Sequence, residues 1–220
     1  VKLGVAMAGG TPVVFPAIAV CDGVGGANAG ELASMAAIQA VKHFLEQNRE
    51  SDMLPERLLD EFLDQLNEKI VAFGKKVGKT ATTIALLLWK NHHYYAINIG
   101  DSSIFFLHKG KLEMLSTKHT LAEKKLLLGQ NISVSDTHVL VNYLGKEKCA
   151  GSQMKSFRHG HLEKGDTFMV CTDGVTNKFS QDKIRKYLRR DPRFAIKKMW
   201  QVLDKQKECD NCSVAIIEFI

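Results

Sequence analysis

TTIALLLWKNHHYYAINIGDSSIFFLHKGKLEML, residues 82–115, is a series of apolar runs rich in β-branched and aromatic residues, cut by short polar breaks. The runs Thr82 to Trp89, Tyr94 to Ile99, Ser103 to His108 and Leu112 to Leu115 have the length and composition of strands. Asn91-His92, Asp101-Ser102 and Lys109-Gly110 separate them at hairpin spacing, so the segment predicts antiparallel strands in succession.

Outward from this segment the pattern changes period. Phe15 to Cys21 predicts a buried strand that stops at the turn Asp22-Gly23. From Ala29 to Gln47, Ala33, Ala36, Ala37, Ala40, Val41 and Phe44 recur at three- and four-residue spacing. That predicts a helix with small residues for close packing on a sheet. Pro55 opens a second helix to about Phe73, with Leu58, Leu59, Phe62, Leu66 and Ile70 on one face. A short helix is predicted near Leu121 to Leu128, ending at Gly129. Strands are predicted at Thr137 to Tyr143, Thr167 to Cys171 and Ser213 to Phe219, and helices at Gln181 to Arg190 and Pro192 to Lys205. Residues 145–160 read as polar and irregular. Antiparallel strands with helices grouped between them indicate an α+β sandwich in one domain spanning 1–220.

Composition narrows the function classes. An apolar fraction of 45% and a charged fraction of 25% over 220 residues are those of a globular domain able to bury a core. No apolar run is long enough for a membrane span and no signal peptide is evident, so the expected setting is the cytoplasm. The formal charge of +6 comes without a basic stripe interleaved with aromatics. Nucleic acid is therefore not an expected partner, while a mild positive field suits anionic partners such as phosphoproteins. Among the five cysteines, Cys21 and Cys171 lie in strand-like runs and read as buried residues. Cys209 and Cys212 form a lone C-x-x-C without a second pair for zinc. Cys149 is followed six residues later by Lys155, so the C-x5-R loop of a thiol phosphatase is absent.

Four aspartates share a local grammar: Val20-Cys21-Asp22-Gly23, Asn98-Ile99-Gly100-Asp101-Ser102, Val170-Cys171-Thr172-Asp173-Gly174 and Asp210-Asn211-Cys212-Ser213. Each lies at or near a strand end beside small or turn-forming residues. Any one of them alone reads as an ordinary turn residue. Several carboxylates gathered at the edge of a core repel one another unless a cation sits between them. Hard divalent cations accept such an all-oxygen site.

The extended patterns carry a resemblance. Asp22-Gly23-Val24-Gly25-Gly26 with Ala29-Gly30-Glu31, the pair Thr82-Thr83 and Asn98-Ile99-Gly100-Asp101-Ser102 resemble motifs of the metal-dependent PPM (PP2C-like) protein phosphatases. So do Lys118-His119-Thr120-Leu121, where members usually have Asp-His-Ser/Thr, the stretch from Gly165-Asp166-Thr167 to Thr172-Asp173-Gly174, and Asp210-Asn211-Cys212-Ser213-Val214. All six occur in the family's order over nearly the whole chain. The resemblance implies a PP2C-like sandwich of two antiparallel β-sheets flanked by α-helices, two Mn²⁺ or Mg²⁺ ions and a third, weaker site. It implies that Asp22 bridges the ions, that the Gly23 carbonyl ligates one, that Asp173 and Asp210 hold the other, and that Asp101 contributes with Asp173 to the third. Asp22, Asp173 and Asp210 are thereby the expected catalytic residues. Two cations about 3.5–4 Å apart activate a water for in-line attack on phosphorus, with no covalent enzyme intermediate. The implied partners are phosphorylated proteins, met by a monomer, and the compact D-G-V-G-G form points to a bacterial member.

Three departures accompany it. No Asp or Glu precedes Asp22 and no Arg precedes Arg49, where the family carries an Arg-x-x-N-[EQ]-D segment. Val24 stands where members have His or Met, and Ser103 where Arg is common. A catalytically impaired PP2C-like domain that binds a protein partner is the alternative. Two further patterns point elsewhere only weakly. Gly74-Lys75-Lys76-Val77-Gly78-Lys79-Thr80 has three residues between its glycines where a P-loop needs four. His92-His93 and His159-Gly160-His161 read as surface histidines in polar turns. By position, residues 145–160 resemble the family's flap, with the expectation that they are mobile and help select substrates.

Overall fold

A computed structural model describes residues 16–24, 29–51, 54–78, 80–204 and 212–220. Two four-stranded antiparallel sheets stack face to face. The first orders β1 (Ala17–Val20), β4 (Ile84–Lys90), β5 (His93–Ile99) and β8 (Ser156–His161) side by side. The second orders β10 (Val214–Glu218), β9 (Thr167–Cys171), β6 (Ser103–His108) and β7 (Lys111–Met114). A two-stranded ribbon of β2 (Gly23–Val24) and β3 (Ala81–Thr82) sits at one end of β1 and β4.

The two central strands of each sheet are covered on both faces, which is why β4, β5, β6 and β9 read as continuous apolar runs rather than alternating ones. In β4, Ala85 and Leu87 point between the sheets, where they meet Ile104, Phe106, Phe168 and Val170. Leu86 and Leu88 point the other way, toward α1 (Ala29–Gln47) and α2 (Glu56–Val77). The far face of the second sheet, with Phe105, Leu107 and Met169, is covered by α6 (Gln181–Leu188) and α7 (Pro192–Leu203). The order of layers is thus helix, sheet, sheet, helix. Helix α2 buries Leu59, Phe62, Leu63, Leu66 and Ile70 at 3.6-residue spacing. Each fully buried side chain of that size contributes about 1.5–3 kcal/mol. Phe168 anchors the middle layer, stacked on Phe106 with ring centroids 4.5 Å apart and edge-on to Tyr94 at 5.1 Å.

Two hairpin turns match the sequence reading. Asn91 and His92 have φ of 48° and 61°, and Lys109 and Gly110 have 47° and 78°, as two-residue turns between twisted strands require. Four expectations are corrected. The predicted strand Thr82 to Trp89 is broken at Thr83, because Thr83 N donates to the Asp22 carbonyl at 2.8 Å rather than to a neighbouring strand. The predicted strand Thr137 to Tyr143 is instead a 3₁₀ turn, Val134–His138, followed by isolated bridges at Leu140 and Leu144. Ser133 N donates to Asp136 Oδ2 at 2.8 Å and curls the chain there. The histidines at 93, 159 and 161 lie on strands, not turns, and the rings of His93 and His161 face each other across the β5–β8 pair at 4.3 Å.

The fourth correction concerns residues 145–160, which form a docked segment rather than an irregular one. It contains α4 (Gly151–Met154) and the edge strand β8. Buried Asn67 donates to the carbonyls of Lys146 at 3.0 Å and Cys149 at 2.7 Å, and accepts from Gly145 N at 2.8 Å. Ser152 N donates to Asp64 Oδ1 at 2.7 Å, and Lys155 pairs with Glu56 and Asp60 of α2. The polar sequence of β8 concealed a strand because an edge strand tolerates charge that a central one does not. Helix α2 also runs through Gly74 to Val77, so the glycine-lysine stretch there is helical. Its Lys79 lies outside the described residues. Among the described residues no helix is long and apolar enough to cross a membrane.

Candidate metal centre

The acidic turns are built by backbone contacts around Thr82 and Thr83. Thr82 Oγ1 donates to the Asp22 carbonyl at 2.9 Å, and Asp22 N donates to Thr83 Oγ1 at 3.0 Å. The paired threonines therefore clamp the peptide groups of Asp22 and leave its carboxylate outside this backbone clamp. Gly23 packs so tightly against the first turn of α1 that a Cβ there would run into the Gly30 carbonyl. Glycine is what allows that approach.

The second turn is tied to the first. Thr83 Oγ1 shares a 2.8 Å hydrogen bond with Ser102 Oγ, the residue after Asp101. Buried Asn98 holds the turn from inside, with Nδ2 donating to the Gly100 carbonyl at 3.0 Å and the Ser102 carbonyl at 3.3 Å, while its Oδ1 accepts from Ser156. Gly100 has φ of 110°, and a Cβ there would lie 2.5 Å from Thr83 Cγ2. Gly100→Ala is expected to cost about 3 kcal/mol through the positive φ and the clash with Thr83. Thermal unfolding checks this, with a fall in Tm on the order of 6–12 °C.

His119 braces the same turn. Its Nδ1 accepts from Gly100 N at 3.1 Å and its own N donates to the Gly100 carbonyl at 2.9 Å. Burial lowers its pKa to about 4, so the ring is neutral and carries its proton on Nε2. The unfolded chain, whose histidine titrates at the ordinary value of 6.5, binds that proton first as pH falls. Stability from this contact is therefore complete above about pH 6.5 and is lost progressively toward pH 4. Urea titrations at pH 7, 5.5 and 4.5 test this: the wild type should lose stability faster over that range than His119→Asn.

Asp173 follows β9 and begins α5 (Asp173–Thr176). Its Oδ2 accepts from Asn177 Nδ2 at 3.2 Å. Thr172 and Ser213 hydrogen-bond reciprocally, so the chain entering β10 arrives beside the Asp173 turn. Asp210, the fifth expected ligand, lies outside the described residues. The structure brings Asp101 and Asp173 to one open cavity of about 550 Å³, together with Lys118, Thr137, His138 and Asn177. Asp22 and Gly23 do not line that cavity; they stand at the end of β1, joined to the Asp101 turn through Thr83. Among the described residues no three His, Cys, Asp or Glu side chains converge closely enough to form a metal cluster by themselves.

Sequence reasoning did not foresee the part Lys118 takes. Its ammonium donates to Thr176 Oγ1 at 2.9 Å on the wall beside Asp173, where the family pattern has an aspartate. The signal was the departure itself. Burial raises the pKa of Cys21 and pushes that of Cys171 up to about 12, which keeps these two thiols neutral.

Solved structures of known proteins share this fold. A serine/threonine phosphatase of Streptococcus agalactiae superposes with a TM-score of 0.81 at 22% identity, covering 94% of this chain and 88% of that one. The catalytic domain of the serine/threonine protein phosphatase PstP, solved in complex with two manganese ions, superposes with a TM-score of 0.72 at 23% identity over 84% of this chain and 80% of that one. In sequence, the serine/threonine phosphatase stp of Listeria monocytogenes serotype 4b is 25% identical over 187 residues, which is 79% of this chain and 72% of that protein. PstP of Mycobacterium tuberculosis is 25% identical over 177 residues, 76% of this chain but 33% of that longer protein. The family model described as Protein phosphatase 2C matches residues 10–215, and the chain belongs to that family of protein phosphatases.

Proposed function

We propose that this protein hydrolyses phosphoserine and phosphothreonine esters in proteins, by water attack assisted by two Mn²⁺ or Mg²⁺ ions. The observation that carries the reading is the linked pair of acidic turns, Asp22-Gly23 and Gly100-Asp101, joined by the Thr83 hydroxyl at 3.0 Å and 2.8 Å, with Asp173 sharing one cavity with Asp101. The donor chemistry fits a hard cation: the carboxylates of Asp22, Asp101 and Asp173 are half-buried, and Gly23 offers a carbonyl, so every donor is oxygen. Asp22, Gly23, Asp173 and Asp210 are the proposed holders of the pair, and Asp101 with Asp173 those of a third, weaker site. When bound, the ions supply an activated water and positive charge against the phosphoryl oxygens.

The chain's own residues set the geometry. Thr82 and Thr83 orient Asp22 through its backbone, and Asn177 steadies the Asp173 carboxylate. Lys118 adds a positive charge to the cavity wall, where a phosphoryl dianion enters. A single domain over residues 1–220, a monomeric state and a cytoplasmic setting belong to the same proposal. Phosphate release from a phosphothreonine peptide, measured with Mn²⁺ and again after chelation, tests it. Turnover that needs the metal supports the reading. No turnover at saturating Mn²⁺, with the peptide still bound, would establish the impaired binding domain instead.

A further inference from the structure

Half of the twelve large apolar side chains exposed among the described residues fall within residues 126–139: Leu126, Leu127, Leu128, Ile132, Val134 and Val139. Leu127 is 81% exposed and Val134 84%. Scattered apolar residues on a surface need no explanation, but a concentration of this kind marks a contact surface. The segment is also not loose. Lys125 Nζ pairs with Asp136 Oδ2 at 2.8 Å, joining α3 (Leu121–Leu127) to the 3₁₀ turn 134–138. That ammonium and the Ser133 N–H hold the Asp136 carboxyl down at about 2. Leu121 N donates to the Val139 carbonyl at 2.7 Å and Val141 N to the His119 carbonyl at 2.9 Å, closing the base of the unit.

The same segment is a wall of the cavity that holds Asp101 and Asp173. Ala122, Glu123, Thr137 and His138 line it, facing Lys118 and Lys178. Leu126 and Leu127 thus share α3, and Val134 the 3₁₀ turn, with side chains that line the candidate centre. Six side chains over 14 residues are far fewer than the roughly 20–30 residues a side of a stable protein–protein interface. That scale fits a short extended segment rather than a second copy of this chain. The cationic groups at the rim suit a ligand that brings a phosphoryl dianion next to apolar side chains.

We infer that the strip around Leu127 and Val134 docks apolar residues flanking the phosphorylated residue of the substrate, so that the protein selects phosphosites in hydrophobic sequence context. The inference rests on the phosphatase reading and adds a specificity element to it. The test uses two phosphothreonine nonapeptides that differ only in carrying leucine and valine, or serine and glycine, around the phosphoresidue. With Mn²⁺ present, wild type should show at least about tenfold higher kcat/KM on the apolar peptide, the scale of one partly buried aliphatic side chain. The double variant Leu127→Ser/Val134→Ser should lose that preference while hydrolysing p-nitrophenyl phosphate at the wild-type rate. Equal kcat/KM for the two peptides in wild type overturns the inference, as does an undiminished preference in the variant. So does sedimentation velocity showing a wild-type dimer that the variant dissolves. If no phosphoester is hydrolysed, the phosphatase reading fails separately. Fluorescence anisotropy of the same labelled peptides then decides the docking: a preference lost in the variant upholds the strip, and none in wild type dismisses it.

Discussion

Asp173→Asn lowers kcat for phosphopeptide hydrolysis by on the order of 10²–10³ or more, the scale of losing one preorganised electrostatic group. The change removes a negative charge at the cavity wall and keeps the side chain's shape. Asn177 donates to Oδ2 of Asp173 at 3.2 Å, and an amide oxygen in its place still accepts that bond. The side chain is half-buried at the start of a short helix, so no core packing is disturbed. Thermal unfolding without added metal should shift by no more than a few degrees, while Mn²⁺ should stabilise the variant less than wild type, because a ligand that binds only the native state raises stability in proportion to its affinity. Asp22→Asn is expected to behave in the same way. Unchanged turnover in both variants would remove these carboxylates from the mechanism.

Asn67→Leu should produce the largest loss of stability among the substitutions considered. The Asn67 side chain is 3% exposed and satisfies three backbone groups of the 145–149 turn, the N–H of residue 145 and the carbonyls of residues 146 and 149. Leucine has similar volume and restores none of these bonds. Each buried group left unpaired costs about 1–3 kcal/mol, so a loss of roughly 3–5 kcal/mol is expected after partial rehydration of the turn. Gly151 packs the same segment so closely on α2 that a Cβ there would run into the Leu63 carbonyl. Urea unfolding gives the magnitude. Hydrogen exchange locates it: the amides of Gly145 and Ser152, which in wild type donate to Asn67 and Asp64 of α2, should lose protection in the variant.

The strands β4, β5 and β6 could be read from sequence because each is buried on both faces and bounded by turn residues. Helix α2 could be read because its apolar residues keep a 3.6-residue period over most of its length. Residues 156–161, SFRHGH, gave no such signal. They become a strand only because β5 offers an edge, and Gly160 only because the Tyr94 ring lies where its side chain would be. Leu140 and Leu144 have the composition of a strand, yet local hydrogen bonding by Ser133 and Asp136 curls the chain before a ladder can form. At the candidate centre, the aspartates stood out as strand-end acids, but the clamp on Asp22 did not. Thr82 and Thr83 look like ordinary strand residues until the tertiary fold brings Asp22 back to them across 60 and 61 residues. The place of Lys118 in the cavity likewise emerges only when β6, β9 and the 121–139 segment assemble around it.

Cys21 and Cys171 each lie within two residues of a candidate ligand, and their surroundings hold both as neutral thiols. Peroxide reacts with the thiolate, and conversion to sulfenic acid is how oxidants silence phosphatases that use a cysteine nucleophile. Here Cys21 and Cys171 offer no such target, so peroxide should leave these two thiols unmodified in the folded protein under conditions that oxidise the cysteine of a thiol-dependent phosphatase.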